Sequence, residues 1–119
     1  MMYTKQTPEI VVKELAEKLK SQEKFTLLDV REAWEVNLAK IEDSRLEILA
    51  MSHLVREGVT ALPDPLKSHE AEIYVICHHG VRSADVTRWL VSQGWKNVFS
   101  VAGGIDEYAR SVDRSIGVY

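Results

Sequence analysis

The chain of 119 residues is long enough for one domain with a single hydrophobic core. Its net charge of -3 and pI near 5.8 argue against a surface that binds nucleic acid or an anionic membrane. No apolar run approaches the roughly 20 residues that cross a bilayer, and the first residues lack the apolar core of a signal peptide. One cysteine cannot form an internal disulfide, so we expect a single domain over 1–119 in a reducing cytoplasm.

Helical spacing of apolar residues alternates along the chain with short apolar runs that are rich in strand formers. In chain order, the predicted elements are helix 8–22, strand 25–30, helix 31–41, strand 46–51, helix 55–62, strand 72–77, helix 83–93, strand 97–101 and helix 105–110. Thr7-Pro8 resembles an N-cap followed by proline, and Gly94 is a typical helix stop.

This alternation predicts an α/β fold with an open parallel sheet of four to five strands and helices on both faces. The strand over 72–77 is apolar on both faces, as is typical of a parallel strand covered by helices. Ligands of such sheets bind beyond the carboxyl ends of the strands. Cys77 lies at one of these ends, and Asp29 and Arg31 lie at another.

The stretch CHHGVRS, residues 77–83, joins the strongest predicted strand to a predicted helix. A helix N-terminus offers unpaired N–H groups and partial positive charge, and a loop before it can direct several N–H groups at one anion. Gly80 allows the loop to bend, and Arg82 adds a full positive charge. Such a nest favours the thiolate of Cys77, which is the nucleophilic form of cysteine. An inert buried thiol is the alternative, but glycine, arginine and a helix start directly after Cys77 favour reactivity.

The segment from Cys77 onward resembles the active-site half of a rhodanese domain. Its matching residues are Cys77, Gly80, Arg82, Ser83, Gly94, Gly103, Gly104 and Ile105. The segment LLDVREAWEV is similar to the family's Asp-Val-Arg strand end and the acidic helix after it, through Asp29, Val30, Arg31, Glu32 and Glu35. The resemblance covers the chain from about residue 8 to its end. The chain departs from the family pattern at 40–44 and at Leu49-Ala50, which lacks the usual proline.

The resemblance implies sulfur transfer. The Cys77 thiolate would take the outer sulfur of a small anionic donor such as thiosulfate, and the resulting persulfide would pass it to a thiol or protein acceptor. Backbone N–H groups of about 78–83 would stabilise the persulfide, while Arg82 would bind the donor or fix the loop through acidic neighbours. The pocket wall would be formed by the side chains of His78, His79 and Val81. The family chemistry requires no metal or organic cofactor.

For the other polar and aromatic residues, a structural role is the favoured interpretation. Asp29 and Arg31 could touch the substrate, but an ion pair that holds the loops is the favoured interpretation. Glu32 and Glu35 are most simply a solvated helix face. A metal site at His78 and His79 is disfavoured because adjacent histidines in a tight loop point apart. The tryptophans Trp34, Trp89 and Trp95 are expected to be packing residues.

Two other functions compete with sulfur transfer. A cysteine phosphatase or arsenate reductase also places a thiolate before a helix, but it has five residues between cysteine and arginine. Here four residues separate Cys77 from Arg82, and the smaller ring suits a single sulfur atom. A rhodanese-like module that only binds a partner commonly lacks the cysteine, whereas this chain has it.

Overall fold

The computed structural model of the protein describes residues 7–119, in which strands and helices alternate. The strands are β1 (Glu9–Ile10), β2 (Thr26–Asp29), β3 (Leu46–Ile48), β4 (Glu72–Ile76) and β5 (Asn97–Val101). The α-helices are α1 (Val12–Lys20), α2 (Ala33–Leu38), α3 (Met51–Glu57), α4 (Val81–Ser92) and α5 (Gly104–Ser111). Short 3-10 helices cover Gly58–Ala61, Asp64–Leu66 and Arg114–Ile116.

All five strands form one parallel sheet in the order β1-β5-β4-β2-β3. The predicted α/β fold with an open parallel sheet is therefore confirmed. The central strand, β4, pairs with β2 on one side and with β5 on the other. Its position explains why its sequence is a continuous apolar run. The carboxyl end of β4 leads directly into Cys77.

The sheet buries both of its faces. Successive residues of β4 alternate between two cores, with Val75 on the face covered by α3 and α4 and Ile76 on the face covered by α1 and α5. Leu90 of α4 and Leu15 of α1 are fully buried, one in each of these cores. Within residues 7–119, none of the helices has the length and apolar character needed to cross a bilayer.

The first helix is shorter than the predicted 8–22, because the chain forms an edge strand before it. The Pro8 carbonyl accepts a hydrogen bond from the N–H of Ser100 at 2.8 Å, and the Ile10 carbonyl accepts one from Ala102 at 2.9 Å. Thr7-Pro8 therefore leads into β1 and does not cap a helix. The backbone hydrogen bonds to β5 therefore outweigh the helix signal that these residues carry in the sequence.

Helix α2 packs against the protein with the side opposite to the one that the sequence predicts. Trp34 and Leu38 are 64% and 57% exposed, while Glu35 and Val36 face inwards. The expectation that Trp34 packs in the core is therefore wrong, and so is the expectation that Glu35 belongs to a solvated face. Helical spacing identified two rows of residues in α2, but a polar contact made by Glu35 decides which row is buried.

The other two tryptophans contribute to packing as predicted. Trp95 is buried and donates its Nε1–H to the Leu66 carbonyl at 2.8 Å, and Trp89 packs against the same core. The predicted helix over 55–62 lies earlier, as α3 followed by the 3-10 helix Gly58–Ala61.

The segment 40–44, where the chain departs from the family pattern, is held in place by Arg45. The Arg45 guanidinium bonds both carboxylate oxygens of Asp43, at 2.8 and 3.0 Å. It also donates to the carbonyls of Leu19, in the last turn of α1, at 2.9 Å and of Glu23, beyond the end of α1, at 2.8 Å. One arginine thus ties this loop to the end of the first helix.

Candidate active site

The Cys77 thiol lies where the sheet, the loop after β4 and the first turn of α4 meet. Its Sγ accepts hydrogen bonds from the backbone N–H groups of Gly80, at 3.1 Å, and Ser83, at 3.2 Å. The Ser83 hydroxyl lies 3.4 Å from the same sulfur. The Cys77 side chain is 1% exposed, so the two N–H donors and the neighbouring hydroxyl act on the sulfur in a site from which water is largely excluded.

Two glycines permit this loop. Gly80 is the N-cap of α4 with φ 103°, a left-handed conformation that other residues rarely adopt. A Cβ on Gly104, at the start of α5, would lie 2.4 Å from the His78 carbonyl oxygen and 2.5 Å from that of Cys77. Because Gly104 has no side chain, α5 approaches closely, and the N–H of Ile105 donates to the Cys77 carbonyl at 2.8 Å. The loop is therefore held by two helix N-termini, those of α4 and α5.

Arg82 is bound to a carboxylate of its own protein. Its two terminal nitrogens donate to the two oxygens of Glu35 at 2.7 and 2.8 Å, in a bidentate ion pair between α4 and α2. This bond to Arg82 lowers the pKa of Glu35 to about 2. The same contact raises the pKa of Arg82 above its ordinary value. The arrangement matches the alternative in which Arg82 fixes the loop through an acidic neighbour.

Asp29 and Arg31 form a buried ion pair behind the loop. The Arg31 Nη2 lies 2.7 Å from Asp29 Oδ2, and the two side chains are 0% and 1% exposed. Arg31 Nη1 also donates to the Tyr119 hydroxyl at 3.0 Å, and this hydroxyl donates to Glu35 at 3.1 Å. Tyr119 therefore connects the buried pair to the Arg82–Glu35 pair. The geometry is that of an ion pair which holds the loops together.

The two histidines of the loop differ in exposure. His78 stacks on the Tyr119 ring with centroids 4.0 Å apart and planes at 6°, whereas His79 is 61% exposed. Burial, and then repulsion by His79, lowers the pKa of His78. Among residues 7–119, the Nε2 of His78 is one of two buried side-chain nitrogen or oxygen atoms that lack a hydrogen-bond partner.

A third residue, Asp106, joins these histidines. One nitrogen of each histidine and one oxygen of Asp106 lie within 4.8 Å of one another. The two imidazole rings lie close together, with centroids 3.8 Å apart and planes at 36°, so the expectation that these adjacent histidines point apart is wrong. Asp106 already accepts a hydrogen bond from Arg110 at 3.0 Å. Because this ion pair engages the Asp106 carboxylate, that carboxylate is less available as a metal ligand. This cluster is better suited to hydrogen bonding than to metal coordination.

The residues predicted for the site are close together, with different exposures. Ser83 is fully buried, and Val81 is 71% exposed on the outer side of the loop. Sequence reasoning missed the contacts of Glu35 and did not consider Ser100 or Tyr119. Ser100 was detectable as a polar residue inside the apolar strand β5. Nothing in the sequence indicates that Tyr119 reaches Arg31, which lies 88 residues earlier.

We predict that Glu35→Gln flattens the dependence of stability on pH in acid. Because the pKa of Glu35 falls from 4.5 to about 2 on folding, its contribution is complete above pH 4.5 and is lost as the pH falls towards about 2. Between these pH values, the free energy of unfolding of the variant should fall less steeply than that of the wild type. Denaturant titrations followed by circular dichroism measure both slopes.

The control for this prediction is Glu17→Gln, because the Glu17 side chain on α1 is 76% exposed. Over the same pH range, the free energy of unfolding of this variant should fall with the same slope as that of the wild type. Equal slopes for Glu35→Gln and the wild type would mean that the ion pair with Arg82 does not form in solution.

Comparison with known proteins agrees with this geometry. The family model for the rhodanese-like domain matches residues 11–111. The chain belongs to the rhodanese-like domain family. The thiosulfate sulfurtransferase GlpE of Actinobacillus pleuropneumoniae is 35% identical over 99 residues, which are 75% of this chain and 91% of that protein.

Similarity extends to a further relative and to two solved structures. The rhodanese-like/PpiC domain-containing protein 12 of Arabidopsis thaliana is 33% identical over 114 residues, and this chain spans 93% of its own length but 37% of that protein. The crystal structure of SSP1007 from Staphylococcus saprophyticus is similar with a TM-score of 0.71 and 28% identity, over 88% of this chain and 96% of that one. The human single-domain sulfurtransferase TSTD1 shares the fold, with a TM-score of 0.70 and 22% identity over 89% of this chain and 98% of that one.

Proposed function

We propose that this protein is a rhodanese-type sulfurtransferase that carries sulfur as a persulfide on Cys77. The observation that carries the proposal is the convergence of two backbone N–H groups and one hydroxyl on a single buried sulfur. Such an arrangement stabilises negative charge on sulfur, which the reaction requires at Cys77 before and after each transfer.

In the first half of the reaction, the Cys77 thiolate attacks the outer sulfur of a donor such as thiosulfate. A new S–S bond forms, the donor's S–S bond breaks, and its electron pair leaves with sulfite. The product is the Cys77 persulfide anion, so total charge is conserved. The partial positive charge of the two helix N-termini at the loop favours an anionic donor.

In the second half, an acceptor nucleophile attacks the outer sulfur of the persulfide. The persulfide S–S bond breaks and its electron pair returns to Sγ, which restores the thiolate. Cyanide serves as a test acceptor and yields thiocyanate. This ping-pong scheme uses a covalent intermediate and no metal or organic cofactor. Because it needs a reduced cysteine, we place the reaction in a reducing compartment such as the cytoplasm.

Arg82 argues for sulfur transfer over phosphate chemistry. A phosphatase of this loop type uses its arginine to hold the equatorial oxygens of the phosphate. Here both terminal nitrogens of Arg82 bind Glu35, so the guanidinium shapes the loop. The donors that remain around Sγ are those of Gly80 and Ser83, which suit one additional sulfur atom.

The acceptor is a thiol, either small or presented by a protein. Val81 of α4 and Trp34 of α2 are 71% and 64% exposed, and each directly precedes one member of the Arg82–Glu35 ion pair. Exposed aromatic and apolar side chains of this kind commonly anchor protein partners. A protein acceptor could therefore dock around the loop and direct its thiol to Cys77.

Half-reaction kinetics test the proposal. Thiosulfate alone should release one equivalent of sulfite per protein, and cyanide added afterwards should release thiocyanate without further thiosulfate. With both substrates varied, double-reciprocal plots should be parallel, as a ping-pong scheme requires. If thiosulfate releases no sulfite while a protein persulfide donor loads Cys77, the protein is a sulfur carrier. Failure with both donors would leave a partner-binding module or, if it cleaves phosphate esters, a phosphatase.

A further inference from the structure

A second buried hydroxyl lies behind the one that contacts Cys77. The Oγ atoms of Ser83 on α4 and Ser100 on β5 are 2.8 Å apart, and Ser83 Oγ is 3.4 Å from Cys77 Sγ. All three residues are 1% exposed or less. The atoms form a line from the sheet through the helix to the sulfur, in an interior where a hydrogen bond is strong and a missing one is costly.

The two serine hydroxyls have only a few protons to share between them and the sulfur. Each serine hydroxyl has one proton to donate, and among residues 7–119 the Oγ of Ser100 has no hydrogen-bond partner besides Ser83. If Ser83 donates to a negatively charged Sγ, the proton in the 2.8 Å contact has to come from Ser100. If Sγ is a neutral thiol, the thiol can donate to Ser83, and Ser83 then donates to Ser100. The two hydroxyls can therefore reverse direction together when Cys77 changes between the neutral thiol and the thiolate.

We propose that Ser100 is a positioning residue for sulfur transfer: by donating to Ser83, it directs the Ser83 hydroxyl to Cys77 whenever Sγ is negatively charged. The proposal rests on the proposed function for its role in turnover. It assigns to Ser100 an action through Ser83, since Ser100 itself does not contact the sulfur.

The relay acts at a particular step. In the persulfide, the negative charge lies on the outer sulfur and Sγ is a neutral bridging atom. The bridging Sγ has no proton to donate, so the Ser83 hydroxyl can stay directed at it. When an acceptor removes the outer sulfur, the charge returns to Sγ, and the hydrogen bond from Ser83 strengthens as the S–S bond breaks. Ser100 should therefore accelerate release of sulfur to the acceptor, because that step generates charge at the sulfur that Ser83 contacts.

A double-mutant cycle tests this role. Cys77 persulfide is prepared with thiosulfate in the wild type, Ser83→Ala, Ser100→Ala and the double variant, and its discharge by cyanide is followed in a single turnover. We expect discharge to slow about fivefold in Ser100→Ala and about tenfold in Ser83→Ala, as for the loss of one hydrogen bond to a charged group. The double variant should be no slower than Ser83→Ala, because Ser100 acts only through Ser83.

Thr87→Val provides the matched control. Thr87 lies on α4, one turn after Ser83, is fully buried, and its hydroxyl lacks a partner among residues 7–119. Removal of this hydroxyl should leave the discharge rate within about twofold of the wild type. Unfolding curves for every variant identify any general loss of stability.

Three outcomes would overturn the relay: an unchanged rate in Ser100→Ala, multiplied effects in the double variant, or equal slowing in Thr87→Val. If the wild type forms no persulfide with thiosulfate or with a protein persulfide donor, the proposed function fails, while the relay is still tested by alkylation of Cys77 with iodoacetamide. Under the relay, alkylation near neutral pH should slow in Ser100→Ala and should slow no further in the double variant than in Ser83→Ala. Equal alkylation rates in all variants would reject it.

Discussion

Cys77→Ser should abolish sulfur transfer from thiosulfate to cyanide, with a loss of about a thousandfold or more. A serine hydroxyl stays protonated near neutral pH, and an oxygen nucleophile cannot form the persulfide that links the two half-reactions. Since Cys77 is the only cysteine in the chain, no second thiol can replace it. Thiocyanate formation, measured with both substrates saturating, gives the ratio of rates.

The variant should nevertheless fold normally. The two N–H groups and the hydroxyl around Sγ can all hydrogen-bond to a serine oxygen, so the buried site remains satisfied. We expect the free energy of unfolding to change by about 1 kcal/mol or less. Turnover retained in a folded Cys77→Ser protein would disprove the mechanism. If the variant does not fold, its loss of activity says nothing about the role of the thiol.

Asp29→Asn should strongly destabilise the fold, by about 3–5 kcal/mol. The substitution removes the negative charge that compensates Arg31, whose side chain is 0% exposed. Arg31 would still contact the Tyr119 hydroxyl and the Glu35 carbonyl, but neither partner has a charge on the atom in contact. Denaturant unfolding monitored by circular dichroism measures the loss.

Asp43→Asn is a closely matched control. Asp43 and Arg45 repeat the spacing and the bidentate geometry of Asp29 and Arg31, but their side chains are 15% and 19% exposed. Water can compensate part of the remaining charge, so this substitution should cost about 1 kcal/mol. A similar loss in the two variants would show that burial does not set the strength of the Asp29 pair.

The sequence is sufficient to predict the sheet but not its edge. β4 and β5 have strong apolar runs, and their bounds fall within one residue of those predicted. β1 has only two residues, so its identity depends on a partner strand that lies about 90 residues away in the chain. Local signals cannot detect such pairing, which explains why the predicted helix start at Thr7-Pro8 is wrong.

The sequence predicts the loop of the candidate site but not the residues that hold this loop in place. The order of Cys77, Gly80, Arg82 and Ser83 specifies the loop, because these residues lie within one short stretch, 77–83. The sequence predicts a surface acid at Glu35, since nothing near it in the sequence reveals the contact with Arg82, 47 residues later. Supports of this kind arise from packing between elements, which one sequence does not display.

Intact-protein mass spectrometry after incubation with thiosulfate, in the absence of reductant, tests the central claim most directly. We predict a species heavier by one sulfur atom, which cyanide removes and which Cys77→Ser does not form. If the wild-type mass is unchanged after thiosulfate and after a protein persulfide donor, or if Cys77→Ser gains the same sulfur, Cys77 does not carry the transferred sulfur.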